Sequence, residues 1–233
     1  MDRFRVFRLI SPHKGFRLVG ILTALMAALS LSALPAAAHH PMGGKMPSNF
    51  FEGFLSGVAH PLLGPDHFAF VVAVGLLAAT KQQGFLVPLS FMLSAMLGTG
   101  AHLAGISLPG VELLISASIL LFGILLAIKD SPHMGIVSGL SAVAGLFHGY
   151  AYGEAIFGAE MTPVLAYLIG FTAIQLAVSL VALQVGKAVL RRRAAEQPQI
   201  PAKLRSAGFV ICGVGLSLLT SQVIATIFPV PGG

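Results

Sequence analysis

The chain has 233 residues, 56% of them hydrophobic and 9% charged, with a mean hydropathy of +0.89. A soluble domain carries roughly a quarter charged residues to solvate its surface, so an ordinary soluble globule is excluded, and the apolar richness excludes a disordered chain as well. The formal charge of +6 hints at nucleic acid until the basic residues are placed, and the single Cys212 rules out an intrachain disulfide or a cysteine-built zinc site.

Arg3, Arg5, Arg8, Lys14 and Arg17 precede an apolar stretch over 18–34, and Ala36, Ala37 and Ala38 follow it. A basic region, a short apolar core and a small-residue exit mark a secretory signal peptide over 1–38, cut after Ala38. An uncleaved anchor is the alternative, because 18–38 is just long enough to span. Most of the basic excess is then an export signal, and nucleic acid drops out as a partner. Next come a short outside N-terminus over 39–49, a membrane domain over 50–228 and an outside tail over 229–233. His39 and His40, with Met42 and Met46 nearby, give that N-terminus a weak capacity to collect metal ions.

A membrane-crossing helix needs about 20 mostly apolar residues. Six stretches qualify: 50–80, 85–104, 111–128, 134–157, 164–190 and 204–228. The expected fold is therefore an all-α integral membrane protein, a six-helix bundle following the export signal. The first stretch is too long for one straight helix, and Pro61, Gly64 and Pro65 interrupt it, since proline removes a rung of the helical hydrogen-bond ladder. A break is expected at Gly64-Pro65. Lys81, Lys129, Lys187, Arg191, Arg192, Arg193, Lys203 and Arg205 fall on one side of such a bundle and Lys45 on the other. Positive residues collect on the cytoplasmic side, which puts both termini outside the inner membrane.

Ionisable groups in lipid cost several kcal/mol unless they face a partner or a watery cavity. His60, Asp66 and His67 lie in the first stretch and His148 and Glu154 in the fourth. On a straight helix His60 and His67 would stand about 10.5 Å apart along the axis, and a break between them shortens that gap. His102, Glu112, Tyr152 and Glu160 are secondary candidates for ligation or gating, with solvation an equal explanation for His102, Glu112 and Glu160. Met92 and Met96 fit core packing better than a thioether site. Imidazole with carboxylate, without thiolate, suits nickel, cobalt or zinc better than copper(I), and a His-rich set argues against magnesium.

The His-x5-Asp-His element at His60, Asp66 and His67, followed by Val74, Gly75 and Leu76, resembles the first-span motif of the HupE/UreJ family of hydrogenase and urease accessory permeases. Phe147-His148-Gly149 resembles that family's fourth-span motif, and the resemblance covers essentially the whole chain. It implies secondary transport of nickel or cobalt across the cytoplasmic membrane, with His60, Asp66, His67 and His148 taking the family roles. The fourth span departs from the family form Phe-His-Gly-x-Ala/Val-His-Gly-x-Glu. Tyr152 stands in place of the second histidine and Ala155 in place of the glutamate. Glu154, one place earlier, is one substitute, and Glu160 after a short insertion is another.

The expected agent is thus a permease, not an enzyme, with no permanently bound cofactor; a divalent nickel or cobalt ion is its substrate and the bilayer its surroundings. Self-association stays open, and no Walker-type sequence provides an ATPase domain. A membrane-embedded metal sensor or accessory subunit is the main alternative. An intramembrane hydrolase ranks lower, because the chain lacks His-Glu-x-x-His and a serine in nucleophile context.

Overall fold

The computed structural model describes residues 45–191 and 200–228. The expected signal peptide, His39, His40, Arg192, Arg193 and the tail over 229–233 lie outside the described residues. Within them the chain forms α1 (Phe50–Leu63), α2 (Pro65–Ala79), α3 (Leu86–Leu103), α4 (Val111–Ala127), α5 (Met134–Glu154), α6 (Met161–Arg191) and α7 (Ala202–Ile227). No strand occurs among the described residues.

Local chemistry sets the helix ends. Asn49 Oδ1 accepts from the Glu52 amide at 3.0 Å, while the Glu52 carboxylate accepts from the Ser48 amide at 2.8 Å. These bonds satisfy amides that the first turn of α1 leaves without carbonyl partners. Pro61 lies inside α1, and the chain stays helical through it to Leu63. The interruption belongs to Gly64 and Pro65 alone, which corrects the expectation that Pro61 shares in it. Pro65 has no amide hydrogen to offer the Pro61 carbonyl, and Gly64 turns extended at φ −75°, ψ 107°. Proline is well suited to the first position of a new helix, and α2 leaves at 77° to α1. Gly110 and Gly158, at φ 68° and 86°, make the turns before α4 and after α5, a backbone region in which glycine meets no steric penalty.

By length and composition α3, α5, α6 and α7 can each cross a membrane, and the bent α1–α2 pair counts as a fifth candidate. The apolar α4 has 17 residues and is shorter than these. The sixth expected span begins two residues earlier than its apolar run, at Ala202, and the fifth begins at Met161, ahead of Pro163.

The bundle is held by helix pairs that meet at glycines: α1 with α6, α3 with α5, α4 with α7, and α2 with α6. A β-carbon at Gly57 would collide with the Tyr167 carbonyl, at Gly98 with that of Leu146, at Gly149 with that of Ala95 and at Gly75 with that of Ser179. Among lipid tails helices gain little from hydrophobicity, so close backbone approach through small residues supplies the attraction. The helix α2 runs through the middle, with Phe70, Ala73, Val74 and Leu77 wholly buried against α3, α4, α6 and α7. Leu93, Leu97, Val143, Val181, Phe209 and Val210 are more than half exposed, which suits a surface facing lipid.

At the end of the bundle carrying most lysines and arginines, Lys81 Nζ donates to Ser131 Oγ and to the Pro132 carbonyl, tying the α2–α3 turn to the α4–α5 turn. Partial burial draws the Lys81 ammonium below its ordinary pKa.

Replacing Gly149 by valine forces α3 and α5 apart and should cost about 1–3 kcal/mol or more, read as a lowered thermal midpoint in detergent. Gly139→Ala, at a helical glycine with open space around it, should leave the midpoint unchanged.

Candidate functional site

Breaking the first span at Gly64 folds its two halves over one another. His60, in the last turn of α1, and His67, in the first turn of α2, come to a ring separation of 5.4 Å. A β-carbon on Gly64 would press on Asp66 Oδ1 at 2.9 Å and His67 Cδ2 at 3.0 Å, so the residue at the break also keeps room for the cluster. His148 arrives from α5, its Nδ1 3.0 Å from that of His67. Tyr152, one turn further along α5, packs its ring against both first-span imidazoles, 4.4 Å from His67 and 5.2 Å from His60. From α6 the Tyr167 hydroxyl meets His60 Nδ1 at 3.2 Å, and from α4 Ser118 Oγ meets His148 Nε2 at 3.0 Å. The His148 ring stacks on Phe70 at 4.3 Å, which holds it edge-on to His67.

His148 is wholly buried and His67 and His60 nearly so, while the Asp66 side chain is 23% exposed. The cluster is therefore reached from the Asp66 side. Asp66 Oδ2 stands 3.8 Å from His67 Nε2, too far for a hydrogen bond but near enough for both atoms to face one incoming cation.

The hydrogen bonds fix the tautomers of two imidazoles. Ser118 Oγ donates to the Ile115 carbonyl at 2.7 Å, so its one proton is used and it accepts from His148 Nε2–H. A neutral His148 then has only Nδ1 as an acceptor, and His67 donates to it from Nδ1. The remaining lone pair of His67 sits on Nε2, facing Asp66. That nitrogen is the one ready for an incoming cation, whereas the lone pair of His148 is occupied by its neighbour. Among the described residues no three His, Cys, Asp or Glu side chains are arranged to hold one metal ion, and the His67–His148 bond is a physical reason: two of the imidazoles bind each other.

The other expected residues divide. Glu154 is exposed at the end of α5 and Glu112 exposed at the start of α4, where Gln222 Nε2 approaches its carboxylate at 3.5 Å. The Asp66 and Glu154 carboxylates lie within electrostatic reach of Glu112. His102 packs on Tyr150 and Phe157 at ring distances of 4.5 and 5.4 Å. Glu160 is exposed on the α5–α6 connection. Met92 is buried in the core, and Met96 is 45% exposed.

Sequence reasoning missed Ser118, Tyr167 and Gln175, all buried in apolar stretches. The signal was available, since the desolvation argument that singled out ionisable groups applies to neutral polar ones in lipid too.

Nitrogen NMR of histidine-labelled protein in detergent should find His148 as the Nε2–H tautomer and His67 as the Nδ1–H tautomer. Ser118→Ala removes the acceptor beneath His148 and should lower stability by about 1–3 kcal/mol, while Ser118→Thr retains it. A His148 resonance of the Nδ1–H form would overturn the assignment.

The description HupE / UreJ protein belongs to a family model that matches residues 26–218. Protein HupE of Rhizobium leguminosarum bv. viciae is 33% identical over 177 residues, covering 72% of this chain and 86% of that protein. No solved structure matches. A family match across most of the chain, together with a relative of this similarity and coverage, establishes that the chain belongs to the HupE/UreJ family, as its first-span motif implies.

Proposed function

We propose that this chain is a secondary transporter carrying a divalent transition-metal cation, nickel or cobalt, across the cytoplasmic membrane. The observation carrying this reading is the meeting of His60, Asp66, His67 and His148 around Tyr152 inside an apolar bundle, because such groups in lipid mark ion pathways. Membership of a family associated with nickel and cobalt accessory transport supports the same class.

In this reading the bundle crosses six times, with the bent α1–α2 pair counted once and α4 as a short span of about 25 Å. Both termini lie outside, and the end holding Lys81, Lys129, Lys187 and Arg205 faces the cytoplasm. The cation is drawn by Glu112, Glu154 and Asp66, sheds part of its water, and meets His67 Nε2 with Asp66 alongside. His60 completes the approach. His148 joins when the cation displaces the His67–His148 hydrogen bond, so binding exchanges one stabilising contact for another. That exchange keeps affinity moderate, as passage requires. Inward of the imidazoles, Phe70, Val74 and Leu77 are wholly buried and close the route. Release therefore needs α2 to shift against α6, with Gly64 as the natural hinge.

Proteoliposomes containing only this chain should accumulate nickel, with cobalt the best competitor and manganese, zinc and copper weaker. His67→Ala and Asp66→Asn should reduce uptake to background at unchanged membrane abundance. Nickel that binds the purified chain without entering vesicles would move the reading to a sensor or accessory subunit, and undiminished uptake by His67→Ala would remove the assigned site.

A further inference from the structure

The α2–α3 and α4–α5 turns enclose a cavity of about 380 Å³, lined among others by Lys81, Gln82, Gln83, Ser131, His133 and Met134. That volume falls within the roughly 300–1,000 Å³ of small-ligand pockets. Lys81 Nζ donates there to Ser131 Oγ and the Pro132 carbonyl. Both acceptors are neutral, an ammonium has a third proton to give, and among the described residues no carboxylate pairs with it. Asp130, the acidic residue of the α4–α5 turn, is exposed and does not line the cavity. Charge is thus drawn partly out of water with no opposite charge beside it, which is why the Lys81 pKa falls.

The rest of the wall also suits an anion. His133 precedes α5 without a side-chain hydrogen bond to its first turn, so the amides there keep their protons for another acceptor. The exposed Gln82 and Gln83 side chains bring carboxamide donors, and the exposed Lys129 adds to the positive field of this end. Beside the polar cavity the surface is apolar. Phe85, two residues past Gln83, is 58% exposed, and Ile136, two residues past Met134, is 54% exposed. A polar cavity bordered by apolar surface fits an amphipathic molecule better than a free anion.

In the orientation read above, which this inference uses, the cavity opens at the cytoplasmic face, where anionic lipid headgroups lie and basic pockets between helices hold them. We propose that the cavity binds a phosphate group, that of an anionic phospholipid, with Lys81 as its counter-charge, the Gln82 and Gln83 carboxamides and the first-turn amides of α5 as donors, and acyl chains over Phe85 and Ile136.

Native mass spectrometry of the purified full-length chain should find phosphatidylglycerol retained about tenfold more tightly than phosphatidylcholine. Lys81→Gln should weaken phosphatidylglycerol retention about tenfold, the size of one lost charge-assisted hydrogen bond. Lys129→Gln removes the same charge from the same end of the bundle and should leave retention unchanged. Ser131→Asp gives Lys81 a carboxylate inside the cavity and should weaken retention as much as Lys81→Gln, with no loss of thermal stability; it decides alone should Lys81→Gln fail to fold. Retention unchanged in Lys81→Gln and Ser131→Asp, or lowered equally by Lys129→Gln, overturns the site. Inorganic phosphate should not displace the lipid. If it instead raises the thermal midpoint of the wild type and not of Lys81→Gln, while both lipids are held alike, the lipid is overturned as the source of the phosphate. Retention is measured without transport, so a wild-type chain that takes up no nickel defeats the transport reading and leaves this test in force.

Discussion

The missing rung at Pro65 is the constraint on which the site depends. A proline at that position leaves the Pro61 carbonyl without its helical partner, and in a lipid-embedded segment such a loss is tolerated only where protein or water surrounds the gap. The chain resolves it by ending α1 at Leu63 and restarting at Pro65, 77° away. Residues that a straight helix would set more than one turn apart then share a space 5.4 Å across their rings. The same break puts Asp66 in the first turn of α2, near the positive end of its dipole, where a carboxylate is favoured.

A cavity bordered by polar groups inside an apolar bundle needs rigid walls, and the glycine contacts provide them. Gly57 brings α6 close enough for the Tyr167 hydroxyl to reach His60, and Gly149 presses α5 onto α3, fixing His148 beside Phe91 at a ring distance of 5.9 Å. Each of these glycines lies within one helical turn or so of a residue of the cluster. Backbone packing and site geometry are therefore the same feature: a side chain larger than hydrogen at either glycine moves an imidazole.

The helical class, the approximate span limits and the break at Gly64 were legible in the sequence, because hydropathy and proline placement act locally. That imidazoles of the first and fourth stretches approach one another follows as well from the cost of leaving such groups unpartnered in lipid. The role of Pro61 was not legible, since whether a proline bends, stops or merely weakens a helix depends on what packs around it. Nor were Tyr167, Ser118 and Gln175, which reach the site from helices whose facing depends on tertiary packing. Glu154 illustrates the same limit. It lies in the same stretch as His148, but the turn that ends α5 leaves it exposed, with Tyr152 taking the inward position.

Tyr152 also bears on how strongly such a site can bind. Where the family pattern has a second histidine, this chain has a wholly buried phenol packed against two imidazoles. A neutral phenol is a weaker metal ligand than imidazole, and its ring excludes water from the faces of His60 and His67. With His148 engaged by His67, a cation arriving from the Asp66 side meets a site that offers one ready nitrogen and requires a hydrogen bond to be displaced for the next. Ligands offered in sequence, each against a competing internal contact, lower the net affinity without removing the path. For the proposed transport that is an advantage, because an ion bound by four unopposed ligands would be slow to leave, whereas one that has displaced the His67–His148 bond is expelled when that bond reforms.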